Sequence, residues 1–167
     1  LSLVITAAAR VDDVRKSVTP QLQSIGSDTV LLLVDLAQGQ QRLGGSGLAQ
    51  VYSQLGADTP DLVAVDGIKA FFETTQMLLQ QSKILAYHDR SDGGLITTAL
   101  EMAFAGRLGI RLSVPSADLL AWLFNEELGA ILQVTASDAQ QIIDSYQDSG
   151  LHEVSVIGEV IDAAWFT

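Results

Sequence analysis

The sequence contains no cysteine, so disulfide bonds, zinc–thiolate sites and cysteine nucleophiles are all excluded. No apolar run reaches the ~18–20 residues of a membrane-spanning helix, so we expect no membrane partner. Basic residues are also scarce, with 9 Lys and Arg against 20 Asp and Glu and a net charge of -11. A surface this acidic repels phosphodiester backbones, so nucleic acid is not an expected partner. The absence of cysteine suits a reducing cytoplasm, which is the location we predict.

The length and composition fit one globular domain. A chain of 167 residues can bury a sizeable core. Hydrophobic residues make up 48% and charged residues only 17%, which argues against disorder. No internal repeat or low-complexity linker divides the chain, so we predict a single domain over residues 1–167. Because the sequence opens in an apolar run without an initiator Met, we expect this domain to be a piece of a longer, multidomain chain.

Apolar runs and helical periodicities alternate along the sequence. The continuous apolar run Val30–Asp35 predicts the most buried strand, covered on both faces. Other predicted strands cover residues 1–8, 84–87, 110–114, 130–134 and 154–160. Predicted helices cover residues 48–55, 65–82, 95–105, 116–128 and 137–148, and residues 11–18 form a short helix or a loop. The alternation predicts a sheet with packed helices, in an α/β or mixed α+β domain.

The densest set of chemically active side chains is the segment His88-Asp89-Arg90-Ser91-Asp92-Gly93-Gly94, between a predicted strand and a predicted helix. Backbone N–H groups at the start of a helix lack partners and carry partial positive charge, which favours bound anions. A carboxylate beside them can hold the magnesium ion that accompanies nucleotide phosphates. On this interpretation Asp89 binds magnesium, while Ser91 and nearby N–H groups contact phosphate.

The same segment also has a structural interpretation. Ser91 or Asp92 would cap the helix, Gly93 and Gly94 would make the turn, and His88 would pair locally with a carboxylate. The two interpretations are compatible, because a cap position is also an anion site. A short strand–loop–helix pattern is only moderately specific, so local sequence leaves both open.

Three other motifs favour structural roles. Gly44-Gly45-Ser46-Gly47 could cradle phosphate with its N–H groups, but it lacks the Lys-Ser/Thr ending of a P-loop and is interpreted as a turn. Asn125-Glu126-Glu127 falls in a predicted helix, where adjacent side chains diverge by about 100°, so we predict a solvated or capping role. His152 has no catalytic neighbours and is expected at the surface, and no nucleophilic triad is visible.

The segment from His88 to Gly94 resembles the His-Asp-x-Ser-Asp-Gly-Gly signature of the aminoimidazole ribonucleotide synthetase-related superfamily of ATP-using enzymes. Further segments across essentially the whole chain, including Glu101–Gly106 and Leu123–Gly129, resemble the large bacterial phosphoribosylformylglycinamidine synthases of that superfamily. Within those enzymes, the chain is similar to the second of two C-terminal-type synthetase modules.

This resemblance implies the fold of the C-terminal domain of aminoimidazole ribonucleotide synthetase, and a domain of an ATP-dependent carbon–nitrogen ligase of purine biosynthesis. Such a ligase uses ATP to activate formylglycinamide ribonucleotide, and ammonia from glutamine then displaces the phosphate to give formylglycinamidine ribonucleotide. The implied cofactors are Mg²⁺ and ATP. In the family pattern Asp89 is a magnesium ligand and Ser91 a nucleotide contact, while Gly93 and Gly94 match the motif and are predicted to contact nucleotide as well.

The resemblance also implies partners within the same longer chain, namely an N-terminal-type synthetase module and a glutaminase domain, besides a small-molecule substrate. We therefore expect no catalytic residue in this chain and no turnover by it alone. Two other functions stay open. One is a non-catalytic module that holds a permanent nucleotide, and the other is another superfamily member, such as a small-molecule kinase or selenophosphate synthetase.

Overall fold

The computed structural model describes residues 4–114 and 118–162, and its helices and strands lie within those ranges. The strands are β1 (Thr29–Asp35), β2 (Ala86–Asp89), β3 (Gly109–Leu112), β4 (Gly129–Thr135) and β5 (Val154–Ile161). The helices are α1 (Gly47–Val51), α2 (Val65–Gln80), α3 (Gly94–Gly106), α4 (Leu119–Phe124) and α5 (Ala139–Asp148), and a 3-10 turn covers Val14–Lys16. No helix in the described part is both long and apolar enough to cross a membrane.

The strands form one antiparallel sheet in the order β2-β4-β1-β5-β3. Strand β1 lies at its centre and pairs with β4 from Thr29 opposite Thr135 to Asp35 opposite Gly129. Strand β2 lies at one edge, with Asp89 opposite Ala130 of β4. This register places the end of β2, and the loop that follows it, beside the beginning of β4.

Helices cover both faces of the sheet, which confirms the predicted fold class of a sheet with packed helices. Successive side chains of a strand point to opposite faces. Leu31 and Leu33 of β1 belong to the core cluster that includes residues of α3 and α4. Leu32 and Val34 belong to the cluster that includes residues of α2 and α5. The run of β1 is apolar on both faces because a helical layer covers each face. Burial of each large side chain stabilises the fold by about 1.5–3 kcal/mol.

The strand predicted over residues 1–8 is wrong for its described part. Residues 4–8 form no regular structure, and Val4 and Ile5 are 88% and 77% exposed. A strand needs a hydrogen-bonded neighbour, and residues 4–8 pair with none of the five strands. Residues 1–3 lie outside the described residues, and residues 11–18 contain the short 3-10 turn rather than an α-helix.

Helix α4 is shorter than the predicted helix over residues 116–128. It begins after Asp118, whose carboxylate accepts a hydrogen bond from the Ala121 N–H at 3.0 Å. It ends at Asn125, because the side-chain Nδ2 of that residue donates to the carbonyls of Ala121 and Trp122. The Asn125 backbone is extended (φ -70, ψ 141), which starts the connection to β4. Residues 116 and 117 of the predicted helix fall outside the described ranges.

Candidate functional site

The candidate site is the loop between β2 and α3. Asp89 is the last residue of β2, and its side chain is 69% exposed. Ser91 and Asp92 are also exposed. Among the described residues, no acceptor lies within hydrogen-bonding reach of the Ser91 and Asp92 N–H groups or of the Ser91 hydroxyl. The structure therefore brings Asp89 and Ser91 together on one exposed loop, with polar groups available to a ligand.

Arg90 points the opposite way and fixes the loop to the sheet. Its side chain is 1% exposed, and its guanidinium donates from Nε to the Glu127 carbonyl at 2.6 Å and from Nη2 to the Leu128 carbonyl at 3.0 Å. Its own N–H donates to the carbonyl of Gly129 at 2.8 Å. Burial lowers the pKa of Arg90 and raises the pKa of Asp35, whose carboxylate lies 3.5 Å from the guanidinium. Arg90 therefore has a structural role, which the motif alone did not reveal.

His88 pairs with a carboxylate, but its hydrogen-bonded partner is not the local one that the structural interpretation predicted, and Gly93 rather than Ser91 or Asp92 stands at the N-cap of α3. The partner of His88 is Glu101 on α3, with 2.7 Å between His88 Nε2 and Glu101 Oε2. The other ring nitrogen, Nδ1, is buried without a hydrogen bond and lies 3.5 Å from Asp89 Oδ1. The imidazole thus connects the start of the loop to the third turn of α3, a contact between residues 13 positions apart.

Gly93 and Gly94 both adopt the left-handed backbone conformation, with φ of +85° and +73°. An added Cβ on Gly94 would lie 2.7 Å from the Asn125 carbonyl oxygen, so only glycine lets α3 pack this closely on the segment after α4. The Gly94 N–H donates to the Ser91 carbonyl at 2.9 Å, which closes the turn. The Gly93 N–H is also occupied, because it donates to Glu126 Oε1 at 2.8 Å.

Glu126 and Glu127 have structural partners that the sequence did not identify. The Glu126 carboxylate accepts hydrogen bonds from backbone N–H groups of two loops, which agrees with a capping role. Glu127 is fully buried, so the predicted solvated role is wrong for this residue. Arg42 holds Glu127 with Nε to Oε1 at 2.5 Å and Nη2 to Oε2 at 2.7 Å, and this carboxylate raises the pKa of Arg42. The sequence signal was a pair of carboxylates inside an otherwise apolar stretch between Trp122 and Ala130.

The Gly44-Gly45-Ser46-Gly47 segment is a turn and not a phosphate cradle. Its four N–H groups all donate within the protein, to the Asp58, Leu55 and Leu43 carbonyls and to the Glu126 carboxylate. The Ser46 side chain caps α1 by accepting from the Ala49 N–H at 3.2 Å.

The residues present suit magnesium only as part of a larger site. Within residues 4–114 and 118–162, no group of three or more His, Asp or Glu side chains is arranged to hold a metal. Asp89 supplies one exposed carboxylate. Magnesium is commonly bound through one or two carboxylates together with substrate phosphates and water. The described residues fit that arrangement only if phosphate, water or other protein segments supply the remaining ligands.

A separate cleft of about 540 Å³ lies near the end of β1 and is lined by residues that include Asp35, Arg90 and Asn125. His152, which is exposed as predicted, also lines it. Asp89 and Ser91 do not line this cleft. The Asp89 and Ser91 side chains are therefore exposed on the loop and lie outside this cleft.

The family model described as AIR synthase related protein, C-terminal domain, matches residues 27–165, so the chain belongs to this family. PurL of Thermotoga maritima complexed with ATP is similar to it with a TM-score of 0.67 and 15% identity, over 92% of this chain and 25% of that one. The FGAR complex of T. maritima PurL has a TM-score of 0.64 and 16% sequence identity, over 89% of this chain and 26% of that one.

HypE of E. coli, a hydrogenase maturation protein, has a TM-score of 0.59 and 20% identity over 90% of this chain and 48% of its own. At these identities the similarity to solved structures shows the shared fold. The chain spans about a quarter of the length of the PurL chains that it matches.

Proposed function

We propose that this member of the AIR synthase-related family is a domain of phosphoribosylformylglycinamidine synthase and contributes Asp89 and Ser91 to a magnesium–nucleotide site. One observation carries the proposal. In the signature loop, the Asp89 and Ser91 side chains are exposed, and among the described residues neither the N–H and hydroxyl of Ser91 nor the Asp92 N–H has a hydrogen-bond partner, while the flanking groups are held by the protein. Water can satisfy the polar groups of any exposed turn, so the support for a ligand comes from their position, because the exposed groups are the ones that resemble the metal and nucleotide contacts of the signature.

Each residue of the loop then has a distinct role. The Asp89 carboxylate is the magnesium ligand, and bound Mg²⁺ would neutralise charge on the nucleotide phosphates. The Ser91 hydroxyl and the N–H groups of Ser91 and Asp92 are the donors to phosphate oxygens. Gly93 and Gly94 belong to the nucleotide site as the residues that set the course of the loop, since their own N–H groups already donate within the protein.

The comparisons support the choice of reaction. The similar T. maritima PurL structures carry ATP, ADP, AMPPCP or FGAR. This chain spans about 25% of such a chain, so further domains would complete the enzyme. From the family resemblance we infer that these are an N-terminal-type synthetase module and a glutaminase domain, and from the absence of cysteine in this chain that the enzyme works in the cytoplasm. The ligase would then use glutamine as its amide donor. The missing metal ligands fit this division of labour, and we expect no turnover by the 167 residues alone.

The test uses the full-length protein with Asp89→Ala. Amidine formation from formylglycinamide ribonucleotide, glutamine and magnesium-ATP is measured beside the parent protein, with folding checked by circular dichroism. We expect loss of turnover in a folded protein. Retained turnover together with unchanged nucleotide content would refute the proposed site.

The same experiment distinguishes the proposed catalytic site from a second candidate function, a structural module that holds a permanent nucleotide. The exposed Asp89 and Ser91 side chains that would bind a nucleotide used in the reaction would equally bind one that is never consumed. For this candidate, Asp89→Ala would release nucleotide or lower the melting temperature, while the folded fraction kept its turnover. The shared fold with HypE does not distinguish a ligase from other superfamily enzymes, so a parent protein that made no amidine would point to that class instead.

A further inference from the structure

We propose that Glu126 is a positioning residue that joins two loops and thereby holds the Asp89–Ser91 segment in its binding geometry. This inference rests on the proposed function, because it concerns the same nucleotide site. Glu126 is not itself assigned a contact with metal or nucleotide. It acts through the backbone N–H groups of Gly47 and Gly93, which belong to loops that the sequence separates by 46 residues (93 minus 47).

The contacts of Glu126 are short and converge on one atom. Its Oε1 accepts from the Gly47 N–H at 2.8 Å and from the Gly93 N–H at 2.8 Å. The two glycines are close neighbours, since a Cβ on Gly47 would lie 3.9 Å from the Gly93 nitrogen. Hydrogen bonds to a carboxylate are stronger than those to a neutral acceptor, so a single side chain links both loops firmly.

Glu126 can act as a fixed point because its neighbours in sequence are buried and bonded. Asn125 is 1% exposed and donates to the Ala121 carbonyl at 2.7 Å. Glu127 is 0% exposed and carries the paired hydrogen bonds from Arg42. A segment held on both sides of Glu126 cannot shift without breaking these contacts.

The same segment holds the signature loop at two points. The carbonyl of Glu127 accepts from Arg90 Nε at 2.6 Å, and the carboxylate of Glu126 accepts from the Gly93 N–H. Ser91 and Asp92, the two residues with unpartnered N–H groups, lie between those points. Loss of the Gly93 contact would therefore free the phosphate-binding end of the loop while Arg90 still held its other end.

The test measures the dissociation constant for magnesium-ADP in the full-length protein by calorimetric titration, with the melting temperature recorded without nucleotide. Glu126→Ala should weaken binding about tenfold, since misplaced binding groups lose much of their effect. Glu126→Gln should stay within about threefold of the parent, because its amide oxygen can still accept both N–H groups. Glu73→Ala, which removes an exposed carboxylate of α2, is the charge control and should bind like the parent.

If Glu126→Ala does not fold, a second pair of variants tests the positioning role of Glu126. Gly47 is the first residue of α1, where proline is tolerated, and the preceding Ser46 already has an extended backbone. Gly47→Pro replaces the N–H that donates to Glu126 with a Cδ that forces the carboxylate away, whereas Gly47→Ala keeps the N–H and places its Cβ 3.4 Å from Glu126 Oε1. We expect Gly47→Pro to bind magnesium-ADP about threefold more weakly than Gly47→Ala.

The outcomes separate the inference from the proposed function. If Glu126→Ala folds, an unchanged affinity for magnesium-ADP would overturn the positioning role. If Glu126→Ala does not fold, equal affinities of Gly47→Pro and Gly47→Ala would overturn it. A lowered melting temperature with unchanged affinity would show a purely structural residue and overturn it as well. Asp89→Ala is included in the same series, and if it leaves affinity unchanged, the proposed site fails and the inference fails with it.

Discussion

Replacing Gly94 by alanine tests whether the signature glycine is needed for packing. Its φ of +73° is a conformation that an L-residue adopts at a cost of about 1–2 kcal/mol. The added Cβ would also lie 2.7 Å from the Asn125 carbonyl oxygen, 2.7 Å from the Phe124 carbonyl carbon and 2.8 Å from the Leu123 carbonyl oxygen. These are backbone atoms of one buried segment, so they cannot move aside independently. Overpacking of this kind adds about 1–3 kcal/mol.

Gly26 provides a matched control for the cost of placing an L-residue at a positive φ. Its φ is +72°, and a Cβ there would meet nothing within 4 Å. Gly26→Ala should therefore lower the free energy of unfolding by about 1–2 kcal/mol, and Gly94→Ala by about 2–5 kcal/mol. The difference between the two variants isolates the steric contribution, because the conformational restriction of the unfolded chain is the same in both.

The assay is urea unfolding of the parent and both variants, followed by far-ultraviolet circular dichroism, with the slope against urea checked for constancy. The expected result is a clearly lower urea midpoint for Gly94→Ala than for Gly26→Ala. Equal midpoints would refute the reasoning, since they would show that the segment after α4 yields to a methyl group without cost.

Three further predictions concern stability. Tyr146→Phe should lower the free energy of unfolding by about 1–3 kcal/mol in urea, because it leaves the buried Thr75 hydroxyl without its 2.8 Å partner. Arg42→Ala should clearly lower the urea midpoint in the same assay, since a fully buried carboxylate loses its ion pair, and an unchanged midpoint would contradict this. The Lys83 ion pair lowers the pKa of Asp138 from 3.8, so its contribution is present above that pH and lost as the pH falls through the lowered pKa. The melting temperatures of parent and Asp138→Asn should accordingly differ between about pH 5 and 7 and converge in acid.

Most of the fold could be predicted because each element carries its own local signal. The continuous apolar run of β1 predicts a strand buried on both faces, and the apolar residues at helical spacing over Val65–Gln80 predict a helix with one buried face. The strand predicted at residues 1–8 shows the limit of this reasoning. Val4 and Ile5 are apolar enough for a strand, but a strand forms only where another strand pairs with it, and here both side chains stay exposed. Sequence composition does not report whether that neighbour exists.

The exposed part of the candidate site was predictable, while the contacts that support it were not. Asp89 and Ser91 stand in a short motif of fixed spacing, and local sequence places them ahead of a helix. Arg90 and Glu126 support the loop through partners 37 and 33 residues away. Such pairs depend on the register of β2 against β4, which a local pattern cannot supply. The carboxylates after α4 were therefore assigned to a helix surface, although Glu127 has no exposed area.

The central claim is that the Asp89 carboxylate binds the magnesium that accompanies a nucleotide. Its most direct test is the affinity of the full-length protein for ADP with and without magnesium, in Asp89→Asn and in Asp92→Asn. Both residues are exposed carboxylates of the same loop, so the change in charge is matched. We expect Asp89→Asn to lose most of the magnesium-dependent gain in affinity, by about tenfold or more, and Asp92→Asn to stay within about twofold of the parent. Equal magnesium dependence in the parent and Asp89→Asn would contradict the claim.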